Sequence, residues 1–123
     1  MDIKLILDLH DRFMMGKMAE IEHKISFLEK DQRQDEANLY KARRNVFDVF
    51  RKMLAASRKK EEEALSCYRN YLTIIPKNWM EAREQAISYG DINRQTVEDM
   101  KLSAHKEIVQ HLSDTTGEGG QEQ

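Results

Sequence analysis

Four histidines, one cysteine and several clusters of like charge are the features of this sequence with chemistry to offer. Glu20-x-x-His23 (AEIEHK) has the spacing with which a bundle helix supplies part of a di-iron carboxylate site. A full site needs a second such pair and two further glutamates. His10, His105 and His111 have no Glu three residues before them. Glu20 and His23 also project away from the apolar residues of their own segment, so an exposed polar pair is expected and no metal. His105 and His111 stand six apart, which on a helix turns them ~120° away from each other, whereas histidines four apart share a face. His111 is expected at the edge of an apolar face, covering the core. Cys67 has no His-based triad pattern beside it, so a small half-buried residue is expected rather than a nucleophile. No Gly-rich phosphate loop, Ser-centred elbow, Cys pair or zinc spacing is present. The chain reads as a non-enzyme without a cofactor.

Charge supplies the second candidate. The net charge is −2, but its distribution is uneven. Residues 37–60 hold eight basic groups against Asp48 alone, while the segments on either side are net acidic. On a helical wheel Lys41, Arg44, Arg51, Lys52, Arg58 and Lys59 fall within ~120° of one another, with Arg44, Arg51 and Arg58 spaced by seven. Such a row can track phosphates, and each contact then makes binding salt-dependent. It can equally be a solvated face, or pair with acidic neighbours such as Glu20, Glu22 and Glu29. No aromatic residue interleaves the basic face, which argues against base stacking. A weak helix-turn-helix echo at 82–97, with Ala86 and Gly90 four apart, carries Glu98 and Asp99 on its second helix, and these would repel phosphates. Met14, Met15 and Met18 offer either core filling or an adaptable surface for a partner.

These groups need elements to hold them. One Pro and five Gly, three of them in the last seven residues, favour long helices over a β-sandwich. Leu7, Met14, Met18, Ile21, Ile25 and Leu28 follow heptad spacing, so a first helix is expected over about 2–31, with a narrow coiled-coil-like seam. A turn is placed near 32–35, where the seam is lost in a polar run. A second helix of about 36–73 carries a broad apolar arc, interrupted at 57–63 (SRKKEEE), where Ser57 and Glu61 project from its middle. Ile75-Pro76 should end it. Asn78-x-x-Glu81 reads as a capping-box variant opening a third helix over 79–89 that stops at Gly90. Asp91 or Asn93 can cap a fourth, reaching about 113.

The expected fold is all-α and four-helix bundle-like: two long helices in an antiparallel hairpin, plus a second, shorter helical hairpin. Residues 1–114 form one domain and 115–123 a disordered tail. The seam and the length of the second helix predict a homodimer. A helical interaction or scaffold module, a small regulator or adaptor, is the expected function, with Met14, Met18, Ile21 and Phe50 as contact residues. Nucleic-acid binding through the basic stripe, or through the segment at 82–97, is the alternative. No transmembrane run or signal peptide is read from the sequence, and the lone cysteine fits a reducing compartment, so a cytoplasmic location is expected.

Overall fold

A computed structural model of the protein describes residues 2–117. They form α1 (Ile3–Lys30), α2 (Gln34–Arg58), a 3-10 turn (Glu61–Glu63), α3 (Ala64–Ile74), α4 (Lys77–Ser88) and α5 (Ile92–Thr116). The expected all-α helical bundle is what the chain forms.

The first helix follows its apolar spacing, and Leu7, Met14, Ile21, Ile25 and Leu28 are all buried. Asp2 caps its start, its carboxylate accepting the Lys4 N–H at 3.4 Å. Its end closes in a Schellman turn. Arg33 N–H donates to Leu28 O at 2.8 Å and Gln32 N–H to Glu29 O at 3.1 Å, with Gln32 left-handed at φ 59°. A glutamine takes the position usually held by glycine, which is why no breaker marked this turn. The chain reverses at 31–33, just ahead of the expected 32–35. α2 then runs back along α1, with Arg44 against Glu22 and Arg58 against Asp8.

The single helix expected over 36–73 is two helices. α2 ends at Arg58, Glu61 adopts φ 54°, and α3 starts at Ala64. Trp79, just past α3, packs edge-on against Phe50 with ring centroids 6.2 Å apart, so the chain has folded back along α2. The interrupted arc at 57–63 was therefore the place of a reversal. Of the two polar residues there, Ser57 is buried and Glu61 is exposed.

Pro76 produces a kink rather than a corner. Ile75 keeps helical geometry (φ −57°, ψ −45°) and so does Pro76 (φ −71°, ψ −8°). Ile75 N–H still reaches Tyr71 O at 3.0 Å, and Met80 N–H reaches Pro76 O at 3.0 Å. The steric preference of a pre-proline residue is overridden because Pro76 lies fully buried in the bundle. α4 begins at Lys77, so Asn78 lies inside the helix and the expected capping box does not form. α3 and α4 thus make a third, kinked rod, and α5 a fourth. The bundle thus has the expected antiparallel hairpin of two long helices, α1 and α2, with a second hairpin of α3–α4 and α5, its four rods joined at 31–33, 59–63 and 89–91.

The last turn follows expectation. Asp91 N–H donates to Ala86 O at 2.8 Å and Gly90 N–H to Ile87 O at 3.1 Å, with Gly90 at φ 68°. The Asp91 carboxylate then caps α5, accepting the Arg94 N–H at 3.1 Å. α5 continues to Thr116, so Thr115 and Thr116, expected in the tail, are helical, and residues 118–123 lie outside the described residues.

One core joins the rods, with Met14 from α1, Phe47, Phe50 and Leu54 from α2, Tyr68 from α3 and Ile108 from α5. The α1 seam needs no second copy, because the chain buries it itself. The length that was counted towards a dimer on the second helix is divided by the reversal at 59–63. No described helix is long and apolar enough to cross a membrane.

Phe50 tests this packing. Phe50→Ala should lower the unfolding free energy in urea by about 3–5 kcal/mol, the usual range for emptying a fully buried aromatic site. A change near zero would show that Phe50 faces outward.

Candidate functional site

The expected contact residues are not on the surface. Met14, Ile21 and Phe50 are buried in the core and the partly buried Met18 packs against it, so in this fold they serve the core of the chain itself. The correction has a simple cause. A heptad seam reports burial, and the chain had enough helices to bury it internally.

The basic stripe meets the acids of α1. Lys41 binds Glu29 at 3.0 Å, Arg44 binds Glu22 at 2.8 Å, Arg51 binds Asp11 at 2.9 Å, and Arg58 binds Asp8. Arg58 holds the Asp8 carboxyl below its ordinary pKa, chiefly through their hydrogen bond. Lys52 pairs within its own helix with Asp48, and Lys59 is exposed on the turn. Acids of α5 are paired too, across helices or within α5 itself. Glu107 binds Arg43 at 2.7 Å, Asp99 binds Arg83 of α4, and the buried Glu98 binds Lys101 at 3.2 Å. The Arg83–Asp99 pair joins α4 and α5 two turns out from Gly90, so the segment 82–97 belongs to a helical hairpin that closes on itself.

Glu20 and His23 are both exposed on α1, and Glu20 faces Lys17 at 3.8 Å. No group of three or more His, Cys, Asp or Glu side chains that could hold a metal occurs among the described residues. Cys67 is half-buried on α3, as expected.

His10, left unassigned by the sequence, lies in the interior and meets His111, which is half-buried at the edge of the core as expected. His10 of α1 is fully buried. Its Nε2 lies 2.7 Å from Tyr68 Oη and its Nδ1 lies 2.9 Å from His111 Nδ1. His111 is stacked on Phe13, with centroids 4.0 Å apart and planes at 9°. Between two neutral imidazoles one Nδ1 donates and the other accepts, so the network has two proton orders. In one, Tyr68 O–H donates to His10 Nε2, and His10 Nδ1–H donates to His111. In the other, His111 Nδ1–H donates to His10, His10 Nε2–H donates to Tyr68, and the phenol turns toward Met14 Sδ at 3.9 Å. Tyr68 and His10 are satisfied either way. The arrangement is a short hydrogen-bonded chain from the core to the half-buried His111, and its residues lie inside packed helices. Burial, and secondarily His111, push the His10 pKa down to about 3, against a slight opposing pull from Asp11. Burial lowers His111 as well, opposed by Asp114, and it raises Tyr68.

His105 does structural work of another kind. Pro76 has no N–H to offer the carbonyl four residues back, which is Leu72. His105 Nε2–H donates to that carbonyl at 2.7 Å, so α5 repairs the hydrogen bond that α3–α4 lacks. Burial lowers the His105 pKa, and this backbone bond partly offsets the shift.

The bundle surface also carries an apolar projection. Tyr89 is 86% exposed and Ile92 73%, on either side of the turn at Gly90, and Ile87 is exposed beside them. The Schellman bonds and the Asp91 cap hold this tip in one conformation. Nothing in the local sequence marks Tyr89 and Ile92 as exposed. The overlooked signal for His10 was stronger, since it stands four before Met14 and three after Leu7, inside the seam itself.

The buried histidines set a pH dependence. Between the ordinary imidazole value near 6.5 and about 3, the unfolded chain binds a proton at position 10 that the folded chain refuses. Stability is therefore complete above that window and declines as pH falls through it. The urea midpoint should drop from pH 7 to pH 5, with a slope of up to about 1.4 kcal/mol per pH unit for each fully shifted histidine. An unchanged midpoint would mean that His10 is protonated in the fold. Comparison with family models, with curated proteins and with solved structures finds no match to this chain.

Proposed function

We propose that the protein is a non-enzymatic helical interaction module, a small adaptor or regulator, whose partner contacts the tip between α4 and α5. The observation that carries this reading is the exposure of Tyr89 and Ile92 on a turn fixed by its own backbone bonds and cap. Large apolar and aromatic side chains held rigidly at a surface supply binding energy with little ordering cost. The remaining polar groups support the same reading. Most of the basic row pairs with carboxylates of α1, and the His10–Tyr68–His111 chain sits inside packed helices. The lone cysteine suits a reducing compartment such as the cytoplasm.

Phosphate tracking by Arg44, Arg51 and Arg58 is the competing reading, and each of these arginines would have to give up a carboxylate of α1 to do it. Two measurements separate the readings. Proximity cross-linking in the native host should recover a recurrent protein with the wild-type chain and lose it with Tyr89→Ser/Ile92→Ser, a surface change expected to leave the urea midpoint intact. Recovery of the same protein by both chains rejects the tip. Labelled duplex and single-stranded nucleic acid should show no binding at low salt. Binding that weakens by orders of magnitude between about 50 and 200 mM salt would favour the basic stripe instead.

A further inference from the structure

The reversal at Lys59–Glu63 differs from the other two turns of the bundle. The turns at 31–33 and 89–91 are each closed by the paired bonds of a Schellman motif. The turn at 59–63 has no such pair among the described residues. It is held by bonds between residues three apart, Lys60 N–H to Ser57 O at 2.9 Å and Glu63 N–H to Lys60 O at 3.1 Å. It contains no glycine, and Glu61 occupies the left-handed region at φ 54°, which a side chain of this kind adopts at a cost. Just before it, Ser57 Oγ is buried with no hydrogen-bond partner.

The sequence through this turn is a helical one. No Gly or Pro occurs from Gln34 to Ile75. Phe50, Leu54, Ser57, Glu61, Ala64, Tyr68 and Leu72 keep the three-and-four spacing of one face across the break. In a continuous helix Arg58 would stand four residues before Glu62, and Lys59 four before Glu63, giving opposite-charge neighbours on one face. The local sequence therefore favours a straight rod, and only the packing of α3–α5 onto α1–α2 bends it.

We propose that this turn is a hinge, and that its occupant when opened is a second copy of the same chain. With residues 59–63 helical, α2 and α3 become one rod, and the arm α3–α5 leaves its own α1–α2 hairpin. Two opened copies then exchange arms. The His10–Tyr68, His10–His111 and Arg43–Glu107 contacts re-form between copies, because each joins residues on opposite sides of the hinge. The strain at Glu61 is released twice and the bundle core is kept. Strained short hinges in helical bundles invite this exchange. The proposal goes beyond the partner surface at Tyr89 and Ile92 and does not rest on it.

The test is light scattering after size exclusion of the full-length chain refolded from urea at high micromolar concentration. Monomer and dimer are expected, interconverting slowly on dilution because exchange requires the bundle to open. Glu61→Gly, which removes the left-handed penalty in the bent form, should reduce the dimer several-fold. Lys60→Ala/Glu61→Ala, which strengthens the straight helix, should increase it. To identify the exchange, Lys17→Cys and Glu107→Cys are placed on separate chains of different size, each also carrying Cys67→Ser, and co-refolded. Lys17 and Glu107 face each other across the hinge at 3.7 Å, so a short bismaleimide should join the two different chains in the dimer. Only monomer from both the wild type and the Lys60→Ala/Glu61→Ala variant would overturn the proposal. A dimer that lacks the 17–107 link, or that is unaffected by Glu61→Gly, would also overturn it. Tyr89→Ser/Ile92→Ser should leave the dimer unchanged, which keeps this outcome separate from that of the tip.

Discussion

The antiparallel pairing of α1 with α2 is the interaction on which the remaining packing rests. One seven-residue period sets both its apolar seam and its ionic edge. Arg44 and Arg58 stand fourteen apart, and so do their partners Glu22 and Asp8. At the same offset Arg51, halfway between, would face Met15, and it reaches one turn further to Asp11. Exposed pairs of this kind contribute roughly 0–1 kcal/mol each, so the seam supplies the stability and the charges select the register. A slip of one turn would leave the seam facing inward but separate the charged row.

With that hairpin in place, the second half of the chain has an apolar wall to fill, and its polar features become intelligible as repairs. Pro76 removes a donor from the third rod, and His105 of the fourth rod replaces it at Leu72 O. His10 occupies a seam position on α1 that could not tolerate an unpaired imidazole, and Tyr68 and His111 satisfy both of its nitrogens. A buried, fully bonded polar group contributes little net energy, but it rejects arrangements in which its partners are elsewhere. These contacts therefore favour one way of laying α3 and α5 on the first hairpin. Ser57, buried and unpartnered, lacks such a repair, and it lies beside the turn that the local sequence supports least.

The three turns show how far local sequence reaches. Gly90 and Asp91 announce theirs, because glycine accepts the left-handed position and aspartate caps the next helix. Gln32 and Glu61 adopt left-handed geometry with no glycine or proline to mark them. The first was located approximately because the apolar seam ran out there. The second showed only as a polar interruption of the arc at 57–63, because the three-and-four spacing continues through it. Pro76 misled in the other direction, since a residue that usually ends a helix is here only a kink with its lost bond supplied by a histidine 33 positions from Leu72.

Composition and periodicity alone determined that the chain is helical, which faces are apolar, and that the charge of residues 37–60 is complemented by acidic flanks. Those properties follow from the spacing of residues along one helix, which the sequence states directly. Tertiary structure decided which apolar stripes face each other, and so moved Met14, Ile21 and Phe50 from a presumed contact surface to the core. It also decided that the basic row meets α1, that four remote side chains bond across the interior, and that Tyr89 and Ile92 stay in water. These depend on how separate helices are placed relative to one another. That placement is settled by the summed burial of all four rods, which no local stretch of sequence contains.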